Sequence, residues 1–209
     1  MLKLLILVIS WLAMTVTVFA DEVHENYELA FAGYPSGYDQ YGLQELQPAL
    51  FAKEKIKRQS GCLAAALYFE ARGESRLGQI AVAQVIVNRA KSGYFPDSIC
   101  RVVWQNSHRK NRCQFSFTCD GKADRIKDRK SWIVAKQIAL QFMNDADPMI
   151  SPHTQHPAKL LTRNTRRSTH YHANYVSPGW SRKLQRMGQI GQHIFYVSKR
   201  VEKTMPTDT

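Results

Sequence analysis

Glu70 closes an apolar run, Leu63–Phe69, and a Gly73-Glu74-Ser75 turn follows before a second apolar segment, Leu77–Ala90. Desolvation disfavours a charged carboxylate and raises its pKa, and a raised carboxyl is what a general acid needs near neutral pH. The structural alternative is a Glu that pairs with Arg72 or Arg89. Glu74 stands four residues on and would share a helix face with Glu70 if the helix continued. Gly73 is expected to end that helix first, which makes a cap or a loop brace the stronger reading of Glu74. A second acid still matters, because paired carboxylates about 5 Å apart serve retaining glycoside chemistry and pairs roughly 6.5–9.5 Å apart serve inverting chemistry.

Gln79, Gln84 and Asn88 interrupt the second apolar segment. Buried amides need partners, so these three orient Glu70, hold the turn, or contact a sugar amide. His170 and His172 alternate, and with His193 and a carboxylate they would suit a zinc ion. No HExxH or comparable spacing supports that reading, and no metal or cofactor is expected. Phe115, Phe117, Tyr171, Tyr175 and Trp180 are core or groove residues. Ser116 and Ser75 lack a GxSxG or SxxK setting, which speaks against a serine nucleophile.

The elements that must position these groups follow from pattern. Leu63–Ala71 reads as a helix with Gly73 as its stop, and Ser75 as the N-cap of a buried helix over Leu77–Ala90. Arg101–Trp104 and Gln114–Thr118 read as strands, and Cys119-Asp120-Gly121 as a turn. Trp132, Ala135, Ile138, Ala139 and Phe142 form one stripe of an amphipathic helix over 131–144. A Pro/His/Arg-rich loop covers Asp147–Arg167. Thr169–Val176 and Ile194–Val197 read as strands joined by a basic, Gly-punctuated connection. The sum is a helix-rich α+β domain with a small antiparallel sheet.

At 209 residues, with 44% hydrophobic and 22% charged residues, the chain has the composition of one ordinary globular domain. Residues 1–20 read as a signal peptide, with Lys3, an apolar run Leu4–Val18 and Val18-Phe19-Ala20 before Asp21; an uncleaved anchor is the alternative. Residues 21–60 read as a flexible tether with a short helix around Leu50–Ile56, residues 61–198 as the folded domain, and 199–209 as a polar tail. Losing Lys3 with the signal takes the net charge from +12 to +11. A basic exported protein suits an acidic partner. The four cysteines, Cys62, Cys100, Cys113 and Cys119, imply two disulfides in an oxidising compartment. With Gln114–Thr118 extended, Cys113 and Cys119 would stand roughly 20 Å apart at about 3.3 Å per residue, which favours Cys100–Cys113 with Cys62–Cys119.

ALYFEARGES…GQIAVAQVIVNRA, YFPDSICRVVWQ, CQFSFTCDG and THYHANYVSPGW…GQHIFYV together resemble the SleB/CwlJ-type cell wall hydrolases, the family of the spore-cortex-lytic enzymes. CQFSFTCDG and THYH are similar to the version found in Gram-negative bacteria. The resemblance covers about 61–197 and implies a single domain of lysozyme-like or lytic-transglycosylase-like type that cleaves peptidoglycan glycan strands. It places the catalytic Glu on Glu70, and it leaves Glu74, Gln79 and Asn88 at other motif positions. These three, with Phe115, Ser116, Tyr171 and His172 on the groove walls, are the substrate-binding candidates. Glu70 then protonates the bond between N-acetylmuramic acid and N-acetylglucosamine. In the transglycosylase route it next takes the proton of the muramyl C6 hydroxyl; in the hydrolytic route Glu74, Asp97 or Asp120 assists a water. The expected setting is an exported monomer, periplasmic or wall-associated, without nucleic acid, and touching membrane only through an uncleaved signal. The rivals are a zinc amidase or peptidase built on His170, His172 and His193, and a non-catalytic wall- or polyanion-binding protein.

Overall fold

The computed structural model describes residues 40–110, 112–143 and 156–203. The signal segment, the first part of the tether, part of the 147–167 loop and the end of the tail lie outside them. The chain divides into units 1–51 and 52–209; the core and the candidate site belong to the second.

Helix α1 runs Gln40–Ala71, so the helix expected from Leu63 is the last part of a longer one. Its final turns are sunk in the core: Leu63, Ala64, Ala66, Leu67, Tyr68 and Ala71 are all buried. Three residues, Arg72, Gly73 and Glu74, separate it from the Ser75 cap, whose Oγ accepts from Gly78 N at 3.2 Å. Helix α2, Arg76–Lys91, is buried at every position from Gly78 to Arg89. Its β-branched residues do not make it a strand, because a segment apolar all round is satisfied as a helix enclosed by other elements. α2 packs against helix α3 (Ile99–Val103), helix α4 (Arg129–Met143), the 3₁₀ turn Pro157–Leu160, helix α5 (Arg163–Arg166) and the sheet. It is the axle of the unit.

The sheet has three antiparallel strands in the order β1 (His170–Ala173), β3 (His193–Val197), β2 (Gln185–Ile190). β1 falls within the expected strand Thr169–Val176, and β3 matches the expected Ile194–Val197 with His193 added at its start. β2 occupies the stretch expected as a connection; Gly188 breaks its register against β3 with a bulge between Arg186 and Gly188, and that irregularity hides its alternation. A short helix α6, Lys199–Glu202, follows the sheet.

Two expected strands are helical. Arg101–Val103 belongs to α3, which Ser98 caps at its start and Trp104 at its end. Residues 116–118 form a 3₁₀ turn, and this overturns the expected disulfides. The turn brings Cys113 and Cys119 to a Cα separation of 6.1 Å, where they bond to each other. Cys62 bonds Cys100, which ties α1 to α3. A period-2 reading of QFSFT missed a compact loop because two of its aromatics, Phe115 and Phe117, do point inward.

Candidate active site

Glu70 sits one residue before the end of α1, half-buried. The buried side chains around it fix where the helix ends. Tyr68 is one of them: its hydroxyl accepts from Lys127 N at 3.0 Å and Asp128 N at 2.9 Å, which binds α1 to the approach of α4. Burial pushes the Glu70 carboxyl above the usual glutamate range, against the opposing pull of hydrogen bonding from Ser116. Ser116 Oγ donates to Glu70 Oε1 at 3.3 Å.

Ser116 is presented by a loop built for that purpose. Phe115 and Phe117 are anchored in the core. Phe117 stacks on Phe69 with ring centroids 4.8 Å apart. The Cys113–Cys119 bond closes the loop, and Ser116, between the two anchored rings, is exposed. Phe115 is therefore a foundation of the wall and not part of its surface.

Glu70 and Ser116 line a cleft of ≈ 390 Å³ with Arg89, Cys113, Gln114, Cys119, Asp120 and Tyr171. Arg89 comes from α2 and Tyr171 from β1. Tyr171 is held un-ionised: burial raises its hydroxyl, the Glu70 charge raises it further, and Arg89 opposes both. Arg89 Nε donates to Thr169 O at 2.6 Å, and its guanidinium lies 5.2 Å from the Phe95 ring centroid.

The structure brings Glu70, Ser116 and Tyr171 together, and it puts the other substrate-binding candidates elsewhere. Glu74 braces the β2–β3 hairpin. Gln192 N donates to its Oε2 at 3.2 Å, and His193 Nδ1 lies 3.5 Å from Oε1. Burial lowers the His193 pKa against the pull of Glu74, so this contact is not a full ion pair at neutral pH. Gly191, at φ +56, abuts Glu74 Oε2 so closely that a Cβ would collide with it. Gln79 Nε2 donates to Glu74 O at 3.1 Å and holds the turn.

Asn88 is a buried staple. Its Nδ2 donates to Arg166 O at 2.8 Å and Ser168 O at 2.7 Å, and its Oδ1 accepts from Gln84 Nε2 at 2.6 Å. Both amide hydrogens are used on the segment that leads into β1.

His172 is carried to the other face of the sheet from Tyr171. It meets the Tyr196 hydroxyl through Nε2 at 3.0 Å, and its ring lies against Tyr196 and Trp180. Tyr171 instead meets His193 and Phe195. The same alternation splits the zinc reading: His170 and His172 share one face, and His193, opposite Ala173, lies on the other. Among the described residues no group of three or more His, Cys, Asp or Glu side chains is placed to hold a metal.

Of the three acids available to assist a water, Asp120 alone shares the cleft with Glu70 among the described residues. Asp97 is paired with Arg101 at 2.8 Å on the surface, and Glu74 is committed to the hairpin. The sequence reading missed Arg89 as a cleft residue. The signal was there: an arginine inside a helix whose apolar residues leave it no exposed face.

The family model described as cell wall hydrolase matches residues 73–196. That span contains α2, the Ser116 loop and the sheet, and it begins three residues after Glu70. The spore cortex-lytic enzyme of Halalkalibacterium halodurans is 29% identical over 133 residues, which are 64% of this chain and 33% of that protein. The spore cortex-lytic enzyme of Bacillus subtilis is 35% identical over 86 residues, 41% of this chain and 25% of that one. The chain thus matches about a third or less of the length of these relatives. The catalytic domain of the Bacillus cereus SleB protein matches 78% of this chain and 94% of its own at 24% identity and a TM-score of 0.44. With more than half of its length matched by the family model, the chain belongs to the cell wall hydrolase family.

Proposed function

We propose that the protein cleaves the glycan strands of peptidoglycan, with Glu70 as the general acid and then the general base. The observation that carries this reading is the Glu70 carboxyl on the wall of a cleft, pushed toward its protonated form by burial and bonded by the Ser116 hydroxyl. Family membership supports the substrate class, and the relatives in Halalkalibacterium and Bacillus are named for lysis of the spore cortex.

Glu70 donates its proton to the glycosidic oxygen that joins N-acetylmuramic acid to N-acetylglucosamine. The C1–O bond breaks and positive charge develops at C1. The Glu70 carboxylate then removes the proton of the muramyl C6 hydroxyl, whose oxygen bonds C1 and closes an anhydro ring. This sequence restores the acid and consumes no water. It needs no second carboxylate, which agrees with the engagement of Glu74 and Asp97 elsewhere. One observation favours hydrolysis as the second reading: Asp120 lines the same cleft and is available to assist a water.

The protein is exported by residues 1–20 and acts in the periplasm or at the wall as a monomer, where its net positive charge draws it to the stem-peptide carboxylates. Digestion of purified sacculi followed by mass spectrometry tests the reading. Anhydro-muramyl ends, lost in Glu70→Gln, are expected. Reducing ends that depend on Asp120 would transfer the reaction to the hydrolytic route. Lytic activity undiminished in Glu70→Gln would overturn the assignment altogether. Loss of activity in EDTA with intact glycan chains would point to the amidase rival.

A further inference from the structure

Arg89 is a cation in an uncompensated position. It is 3% exposed, and burial lowers its pKa to about 10. Removing a guanidinium from water is costly unless charge and hydrogen bonds replace the solvent. Here the replacement is partial. Nε donates to Thr169 O, the Phe95 ring covers one side, and Nη1 is enclosed with no hydrogen-bond partner. No carboxylate of the described residues forms an ion pair with it.

Its titratable neighbours are neutral. Burial and then the Arg89 charge hold His170 down at about 4, and Tyr171 is held un-ionised. Glu70 lines the same cleft, and among the described residues it forms no ion pair with Arg89. A guanidinium fixed at Nε, without an acceptor at Nη1 and on the wall of the cleft, matches a carboxylate or carbonyl oxygen.

Resting on the glycan-cleavage reading above, we propose that Arg89, with the Tyr171 hydroxyl beside it, receives the lactyl acid group of muramic acid. That group is the chemical difference between the two sugars of the strand. It ends in a carboxylate when bare and in an amide carbonyl when it carries a stem peptide, and both present the oxygen acceptor that Arg89 lacks. Arg89 and Tyr171 thereby set which sugar of the strand lies beside Glu70.

The test uses the disaccharide N-acetylglucosaminyl-β-1,4-N-acetylmuramic acid, in which the bond assigned to Glu70 is absent, so the ligand survives in wild-type protein. Binding is followed by NMR titration with this free acid, with its lactyl amide, and with chitobiose, which has no lactyl group. At least one lactyl-bearing ligand is expected to bind about tenfold tighter than chitobiose, the size of one charged hydrogen bond. Arg89→Lys, which keeps the charge and loses the fork, should erase that preference without weakening chitobiose equally.

Free acid and amide separate the two sources: a carboxylate contact loses affinity as salt rises, an amide contact does not. Equal affinity for all three ligands, or a preference that survives Arg89→Lys, overturns the proposal. The wild-type ligand series decides it even where Arg89→Lys fails to fold. Because the ligand is not cut, a negative lytic assay removes the glycan-cleavage reading and leaves this result standing.

Discussion

Ser116 Oγ reaches Glu70 Oε1 across 3.3 Å from a position 46 residues away in sequence, and it is the side chain that hydrogen-bonds the acid. The bond favours the carboxylate form and so opposes the effect of burial. Ser116→Ala should raise the Glu70 pKa further. The alkaline limb of the pH–activity profile should then move to higher pH. A limb that stays in place or moves down would show that Ser116 does not tune the acid.

Glu70 also links activity to stability through pH. Its folded pKa is raised above the ordinary value of 4.5. The folded state therefore holds the proton more tightly than the unfolded chain. Its stabilising contribution is complete below the unfolded pKa and is lost as pH rises through the folded one. Glu70→Gln should accordingly melt higher than wild type at pH 7–8, and the difference should vanish below about pH 4. Thermal melts across that range check the sign. A variant that is less stable at pH 8 would contradict the burial account.

The two disulfides should separate stability from activity. Cys62–Cys100 spans 38 residues and Cys113–Cys119 spans 6. Loop-closure entropy then assigns about 4 kcal/mol to the first and about 2 kcal/mol to the second. Replacing the Cys62–Cys100 pair by alanine should lower the denaturation midpoint more. Replacing the Cys113–Cys119 pair should lower kcat more, because that bond closes the loop that carries Gln114 and Ser116. The reverse ranking in either measurement would place the functional constraint elsewhere.

Asn88 offers a control for residues of the motif that sit away from the cleft. Asn88→Ala would remove the hydrogen bonds that Asn88 makes with Arg166 O, Ser168 O and Gln84 Nε2. Losing a buried hub of this kind should cost about 2–4 kcal/mol. In the folded fraction, KM should change little. A large rise in KM with stability intact would make Asn88 a ligand contact after all.

How much of this was legible follows from what each residue depends on. Ser75 as a cap, the amphipathic stripe of α4 and strands β1 and β3 are local patterns, and local patterns are readable from spacing. Glu70 stood out because an acid at the end of an apolar run is costly wherever the helix packs. Before Leu63 only a short helix around Leu50–Ile56 was expected, and the full extent of α1 from Gln40 was missed because its polar stretch has no apolar stripe to report it. The 3₁₀ loop at 116–118 was missed because alternating aromatics imitate a strand when both aromatics are buried.

By itself, the sequence determined a helix-rich α+β domain, an acid in an apolar setting and an even set of cysteines. Tertiary structure decided which residues share the cleft with that acid. Glu74, Gln79 and Asn88 look as chemical in sequence as Arg89 does, yet contacts with distant backbone commit Glu74 and Asn88 to bracing, and Gln79 holds the turn through Glu74 O. Arg89 is left with a guanidinium that the fold has not fully satisfied. The physical reason is that a polar group's availability is a count of its partners, and those partners arrive from parts of the chain that no local window contains.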